Sequence, residues 1–164
     1  MSNDISDVLT RELAWLNADP PPGGSYNSAP NLNSANAGGF FDTIQADAPK
    51  ITPEAPTLYL EYVKTEEDRY AMGGEKVQIH DVHICMYWPF NNSDGSYETA
   101  KANFRNAINA VFIRLRGPLG DKSHNSQFLE AGEKITGGLF REEPDLYSFV
   151  YEIDYQITDL NFVS

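Results

Sequence analysis

The sequence predicts an α+β fold: an antiparallel sheet of about four strands with two helices packed on one face. Three observations predict it. Apolar residues recur at three- and four-residue spacing in two segments, one near the start of the chain and one near its middle. Elsewhere they alternate with polar residues, most regularly over residues 145–158. The order helix, strands, helix, strands contains no repeating βαβ unit and no glycine-rich dinucleotide fingerprint.

Size and composition set the frame. A chain of 164 residues, 41% hydrophobic and 22% charged, matches one ordinary globular domain, divided here into an N-terminal helix (1–18), an extended arm (19–55) and an α+β core (56–164). A chain of that size buries roughly two-thirds of its unfolded surface, so its core requires neither disulfide nor metal. The single cysteine, Cys85, excludes an internal disulfide and a four-cysteine zinc site, and fits a reducing compartment. Twelve Lys+Arg against 24 Asp+Glu give a net charge of −12, which repels a phosphate backbone. Met1-Ser2-Asn3-Asp4 carries no basic stretch and no apolar run for export or anchoring, so the expectation is a protein made and assembled in a cytosol, with no membrane partner.

The first helix is predicted from Ile5, Val8, Leu9, Leu13 and Leu16, with Asp4 or Ser6 as its cap. Pro20-Pro21-Pro22-Gly23-Gly24 stops it. Residues 20–39 are almost all Pro, Gly, Ser, Asn and Ala, with Tyr26 and Leu32 as the larger apolar side chains, and read as a loop or extended arm. Phe40, Phe41 and Ile44 then form an apolar patch that suits a short strand or docking segment. Residues 57–64 read as a strand with Leu58, Leu60 and Tyr62 on one face. The polar run Thr65-Glu66-Glu67-Asp68-Arg69 and Met72-Gly73-Gly74-Glu75 read as the solvated connection of a long hairpin. The return strand spans residues 76–88, where a switch of apolar phase at His80-Asp81 predicts a bulge.

Residues 97–116 carry the strongest helix signal, with Ala100, Phe104, Ile108, Val111 and Leu115 in one stripe and Lys101, Arg105 and Asn109 off it. Ser96 is the predicted cap, Glu98, Arg114 and Arg116 complement the dipole, and Gly117-Pro118 ends the helix. Short strands are predicted at Phe128-Leu129-Glu130, Lys134-Ile135-Thr136 and Leu139-Phe140-Arg141. The last strand, residues 145–158, puts Tyr147, Phe149, Tyr151, Ile153, Tyr155 and Ile157 on one face.

The chemistry-bearing residues are sparse. His80, His83 and Cys85 are metal-ligand types, yet a regular strand turns His83 and Cys85 to one face and His80 to the other, and no fourth ligand accompanies them. Carboxylates such as Glu142, Glu143 and Asp145 stand in turn-like polar runs rather than against an apolar wall. Met72-Gly73-Gly74-Glu75-Lys76 lacks the spacing and hydroxyl of a phosphate loop. The sequence calls for no cofactor, no metal and no enzymatic activity. Nine tyrosines in one small domain point instead to protein contacts, and Lys101, Arg105, Arg114 and Arg116 predict a basic helix face for an acidic neighbouring subunit.

From about residue 56 to 158 the chain resembles the tail terminator (tail completion) proteins of long-tailed bacteriophages. The resemblance rests on Thr57-Leu58-Tyr59-Leu60-Glu61-Tyr62-Val63, an acidic turn, Ile84-Cys85-Met86-Tyr87-Trp88-Pro89, and a loop into Glu98-Thr99-Ala100-Lys101-Ala102 and a long helix, closed by a β segment and an alternating strand. The N-terminal helix is similar to that of the family as well. The resemblance implies a virion structural protein with no catalytic residues, forming a homo-oligomeric ring, commonly a hexamer, that caps the tail tube and joins it to the neck. It implies tail-tube and neck or connector proteins as partners, with DNA passing through the lumen unbound. The hairpin loop from Thr65 to Glu75, which carries Glu66, Glu67, Asp68 and Arg69, and the loop from Gly117 to Gly138 become candidates for tube or neck contacts, and the central helix and sheet edge for ring contacts. Another head-completion or neck component, or a cellular α+β ligand-binding module, stands as the alternative.

Overall fold

The computed structural model describes residues 5–18, 30–69, 75–90, 96–116, 129–138, 140–143 and 147–162. Helix α1 (Ile5–Asn17) buries Val8, Glu12, Trp15 and Leu16, a stripe at helical spacing. Its expected cap Asp4 lies outside the described residues. Strands β1 (Thr43–Ala46), β2 (Thr57–Arg69) and β3 (Glu75–Pro89) precede helix α2 (Ser96–Arg116), and β4 (Leu129–Gly137), β5 (Arg141–Glu143) and β6 (Ser148–Phe162) follow it.

The fold is α+β, but the sheet is larger than the sequence predicts and is not antiparallel throughout. Its six strands run in the order β1-β2-β3-β6-β4, with β5 also on β6, and β1 lies parallel to β2. The short strands expected at Phe40, Phe41 and Ile44 and at Leu139-Phe140-Arg141 lie instead at β1 and β5, whose four and three residues are too few for a period-two signal to fix their bounds. Both helices bury their stripes against one sheet face, where Leu58, Leu60, Val82, Ile84, Met86, Trp88, Phe149, Ile153, Tyr155 and Ile157 meet Val8, Trp15 and Leu16 of α1 and Phe104, Ile108, Val111 and Leu115 of α2. The expected apposition of α2 with the last strand is therefore present. Phe149 is its centre, with ring centroids of Phe90 at 4.7 Å, Tyr97 and Phe140 at 5.3 Å and Phe104 at 6.3 Å.

Four local expectations change. The bulge falls on β2, between Tyr62 and Lys64, while β3 pairs with β6 without a slip. The apolar phase along β3 thus changes without a bulge in that strand, and β2 absorbs the extra residue. Thr65 to Arg69, read from sequence as a solvated connection, continues β2, because pairing with residues 76–80 of β3 overrides the poor strand propensity of an acidic run. In β4 the predicted pair of short strands is one strand with a register shift between Ala131 and Ile135, at Gly132. Tyr147, expected on the apolar face of the last strand, instead precedes it at φ 47° and is exposed.

The second half of the expected arm is built into the core. Leu32 and Phe41 are fully buried, Phe41 meets Trp88 edge-on at 5.7 Å, and Asn33 bridges Phe41. The turn between them is tight: a Cβ on Gly39 would stand 1.8 Å from the Asn33 carbonyl oxygen. Gly39→Ala is expected to destabilise the chain by about 1–3 kcal/mol, read from urea unfolding midpoints, because backbone rather than a flexible side chain must yield. Residues 19–29, including Tyr26, lie outside the described residues.

Candidate assembly surface

Strand alternation that turns Leu58, Leu60, Ile84 and Met86 toward the helices turns their neighbours to the opposite face, which neither described helix covers. Cross-strand register arranges these residues in rows. Thr57, Tyr87, Val150 and Arg141 form one, Tyr59, Cys85 and Glu152 the next, and Glu61, His83, Asp154 and Thr136 the third. Tyr59, Cys85 and Val150 are buried and make a small apolar cluster with Tyr87, whose ring stacks on Tyr59 at 6.1 Å. Burial pushes the Cys85 thiol up, so it is held as a neutral thiol. Burial first, and then the neighbouring Cys85, raises the Tyr59 hydroxyl, which stays a hydrogen-bond donor at any ordinary pH.

Residues 48–53 fold over the Tyr59 and Tyr87 end and leave a shallow groove of about 220 Å³, with Ile51 80% exposed. Beside the tyrosines the surface becomes ionic. His83 Nδ1 lies 2.6 Å from Asp154 Oδ1 and its Nε2 lies 3.4 Å from Glu152, which also pairs with Arg141 at 3.4 Å. Partial burial works against protonating His83, but the hydrogen bonds and charges of Asp154 and Glu152 outweigh it and raise its pKa above the ordinary 6.5.

That direction fixes a pH dependence. A raised folded pKa stabilises the protonated form, so the contribution is complete below about pH 6.5 and is lost as pH rises through the raised value. His83→Gln is therefore expected to cost up to about 1 kcal/mol near pH 5.5 and much less near pH 9, measured by chemical denaturation at both; the exposed Asp154 partner keeps the effect small. An equal cost at both would remove the imidazolium from the account.

His80 and His83 stand on opposite faces, as a regular strand requires: His80 is buried on the helix side, hydrogen-bonded to Thr65 at 2.7 Å. Among the described residues no group of three His, Cys, Asp or Glu side chains could hold a metal ion. No described helix is long and apolar enough to cross a membrane.

The predicted basic helix face divides. Lys101 and Arg105 lie off the buried stripe and lean on aromatic rings, Lys101 over Tyr97 and Arg105 over Phe140, each at 5.8 Å. Arg114 is corrected: it is 1% exposed and belongs to the interior, not to a subunit contact. Its guanidinium donates to the carbonyls of Trp15 at 3.1 Å, Ala18 at 2.8 Å and Pro30 at 3.3 Å, while Trp15 Nε1 donates back to the Arg114 carbonyl at 2.9 Å. Helix α1 has no basic residue in its last turn, and Arg114 supplies the cation its C-terminal carbonyls favour. The signal was readable, since positions 104, 107, 111 and 114 share one helical stripe. Arg116 ends α2, and its side chain lies outside the description, as do those of Glu67, Asp68 and Arg69. Glu66 is exposed and pairs with Lys64 at 3.1 Å.

A comparison with protein-family models finds no match to this chain, and a comparison with curated proteins finds none either.

Proposed function

We propose that this chain is a structural virion protein that assembles into a ring capping a phage tail tube and joining it to the neck. One observation carries the reading: α2 and β6 meet apolar face to apolar face, so the opposite sheet face is left bearing rows of tyrosine, imidazole and carboxylate. Such a surface, amphipathic at its tyrosines and charged at its rim, suits contact between protein subunits. A net charge of −12 suits a lumen through which DNA slides without adhering.

Light scattering and negative-stain microscopy test the proposal, on the purified chain alone and mixed with tail tubes polymerised from the tube protein of the same virion. The expected result is a closed ring in solution or at tube ends. A chain that remains monomeric in both settings, and leaves tube lengths unchanged, overturns it.

A further inference from the structure

Among the described residues the sheet has two open edges, and they match. On one side β1 pairs only with Thr57 to Leu60, so among the described residues the outer edge of β2 from Glu61 to Arg69 has no strand beside it. On the other side β4 is the last strand of the path. Pairing carries height across the sheet: Gly137 faces Ile153, which faces Ile84, which faces Leu60. At the far end Leu129 faces Asp159, which faces Gln78, which faces Glu67. All of β4 except Gly137, which is level with the β1-paired Leu60, therefore stands level with the part of β2 beside which no described strand lies.

Direction agrees as well. The path β2-β3-β6-β4 has four strands, each antiparallel to the next, so β2 and β4 run opposite ways. A second copy placed beside the first in the same orientation thus brings its β4 antiparallel to β2. An open strand edge is an array of unpaired donors and acceptors that another strand can satisfy. Contact between two different edges is head-to-tail, and with the edges level each added copy takes no step along the strands, which favours a closed ring over a climbing filament.

We infer that the ring contact is this edge pairing, in which β4 of one copy adds to residues 61–69 of β2 of the next. This rests on the ring reading above and names the surface that builds it. The same geometry says which backbone groups take part. The Asp47 amide donates to the Leu60 carbonyl, so Leu60 turns its backbone groups outward. Carried past the bulge by alternation, the outward residues are Thr65, Glu67 and Arg69. On β4 the Gly138 amide donates to the Glu152 carbonyl, which makes Asp154, Gln156 and Thr158 face β4 and leaves Leu129 and Ala131 turned outward. Both edges carry more acid than base: Glu61, Glu66, Glu67 and Asp68 against Lys64 and Arg69 on one, Glu130 and Glu133 against Lys134 on the other. Like charge discourages indiscriminate pairing, so assembly strengthens as salt screens it.

Proline at an outward position removes a donor the neighbour needs without breaking the ladder inside the subunit. Glu67→Pro blocks the β2 edge and Ala131→Pro blocks β4. Sedimentation velocity of the full-length chains, from about 50 mM to about 500 mM NaCl, is expected to show wild-type rings increasing with salt and each variant alone monomeric, with a melting transition like that of wild type. Mixed one to one, the variants still hold one intact edge each and are expected to form a heterodimer and nothing larger. Rings from either variant alone, or no heterodimer on mixing two folded variants, overturn the edge contact and leave the ring reading standing. A wild-type chain that never closes, in solution or on tubes, overturns both.

Discussion

Arg114→Met is expected to destabilise the chain by about 3–5 kcal/mol, because three carbonyls lose their donor in a dry site while the aliphatic stem is preserved. Urea unfolding gives the magnitude. Hydrogen exchange gives the place: the amides of α1 are expected to lose protection first, since the guanidinium ties the last turn of that helix to α2 and to Pro30. Arg114→Lys keeps the charge but not the fork, and is expected to recover only part of the loss. A methionine variant as stable as wild type would mean that packing of Trp15 and Leu16 alone holds the helix.

Phe149→Ala is expected to cost a similar amount, about 3–5 kcal/mol, for a different reason. Its fully buried ring is bordered by Phe90, Tyr97, Phe104 and Phe140, four rings contributed from outside β6, and their removal from contact leaves a cavity that none can fill without leaving its own rotamer. Phe149→Leu, which returns most of the volume without the ring edges, is expected to cost about 1–2 kcal/mol by the same denaturation measurement. A loss below that for the alanine variant would place the centre of the core elsewhere.

These two sites show what local pattern can and cannot carry. The stripe of α2 and the alternation of β6 are legible because each side chain reports on its own element, and Phe149 stands in the predicted apolar phase. Arg114 has the same phase as Phe104, Ala107 and Val111, yet its chemistry argues for solvent; only the buried carbonyls of α1 explain why a guanidinium belongs there. The short β1 and β5 are legible only as apolar patches beside them, because four and three residues are too few for periodicity to set their bounds. The cluster of His83, Glu152 and Asp154 is invisible in sequence because its members meet through β3–β6 pairing across roughly 70 residues, with α2 and β4 lying between in the chain. For the same reason the sequence shows an acidic run at Glu66, Glu67 and Asp68 but not that it lies on an edge of β2 that no described strand covers.

The unbroken ladder from Glu75 opposite Phe162 to Pro89 opposite Ser148 has a mechanical consequence. A pull that drags β3 and β6 past each other loads all its rungs at once in shear, so no single rung can fail ahead of the rest. A pull at one end peels them in succession under far smaller force. The middle of the sheet is thereby a tie bar along the strands and a zipper across them.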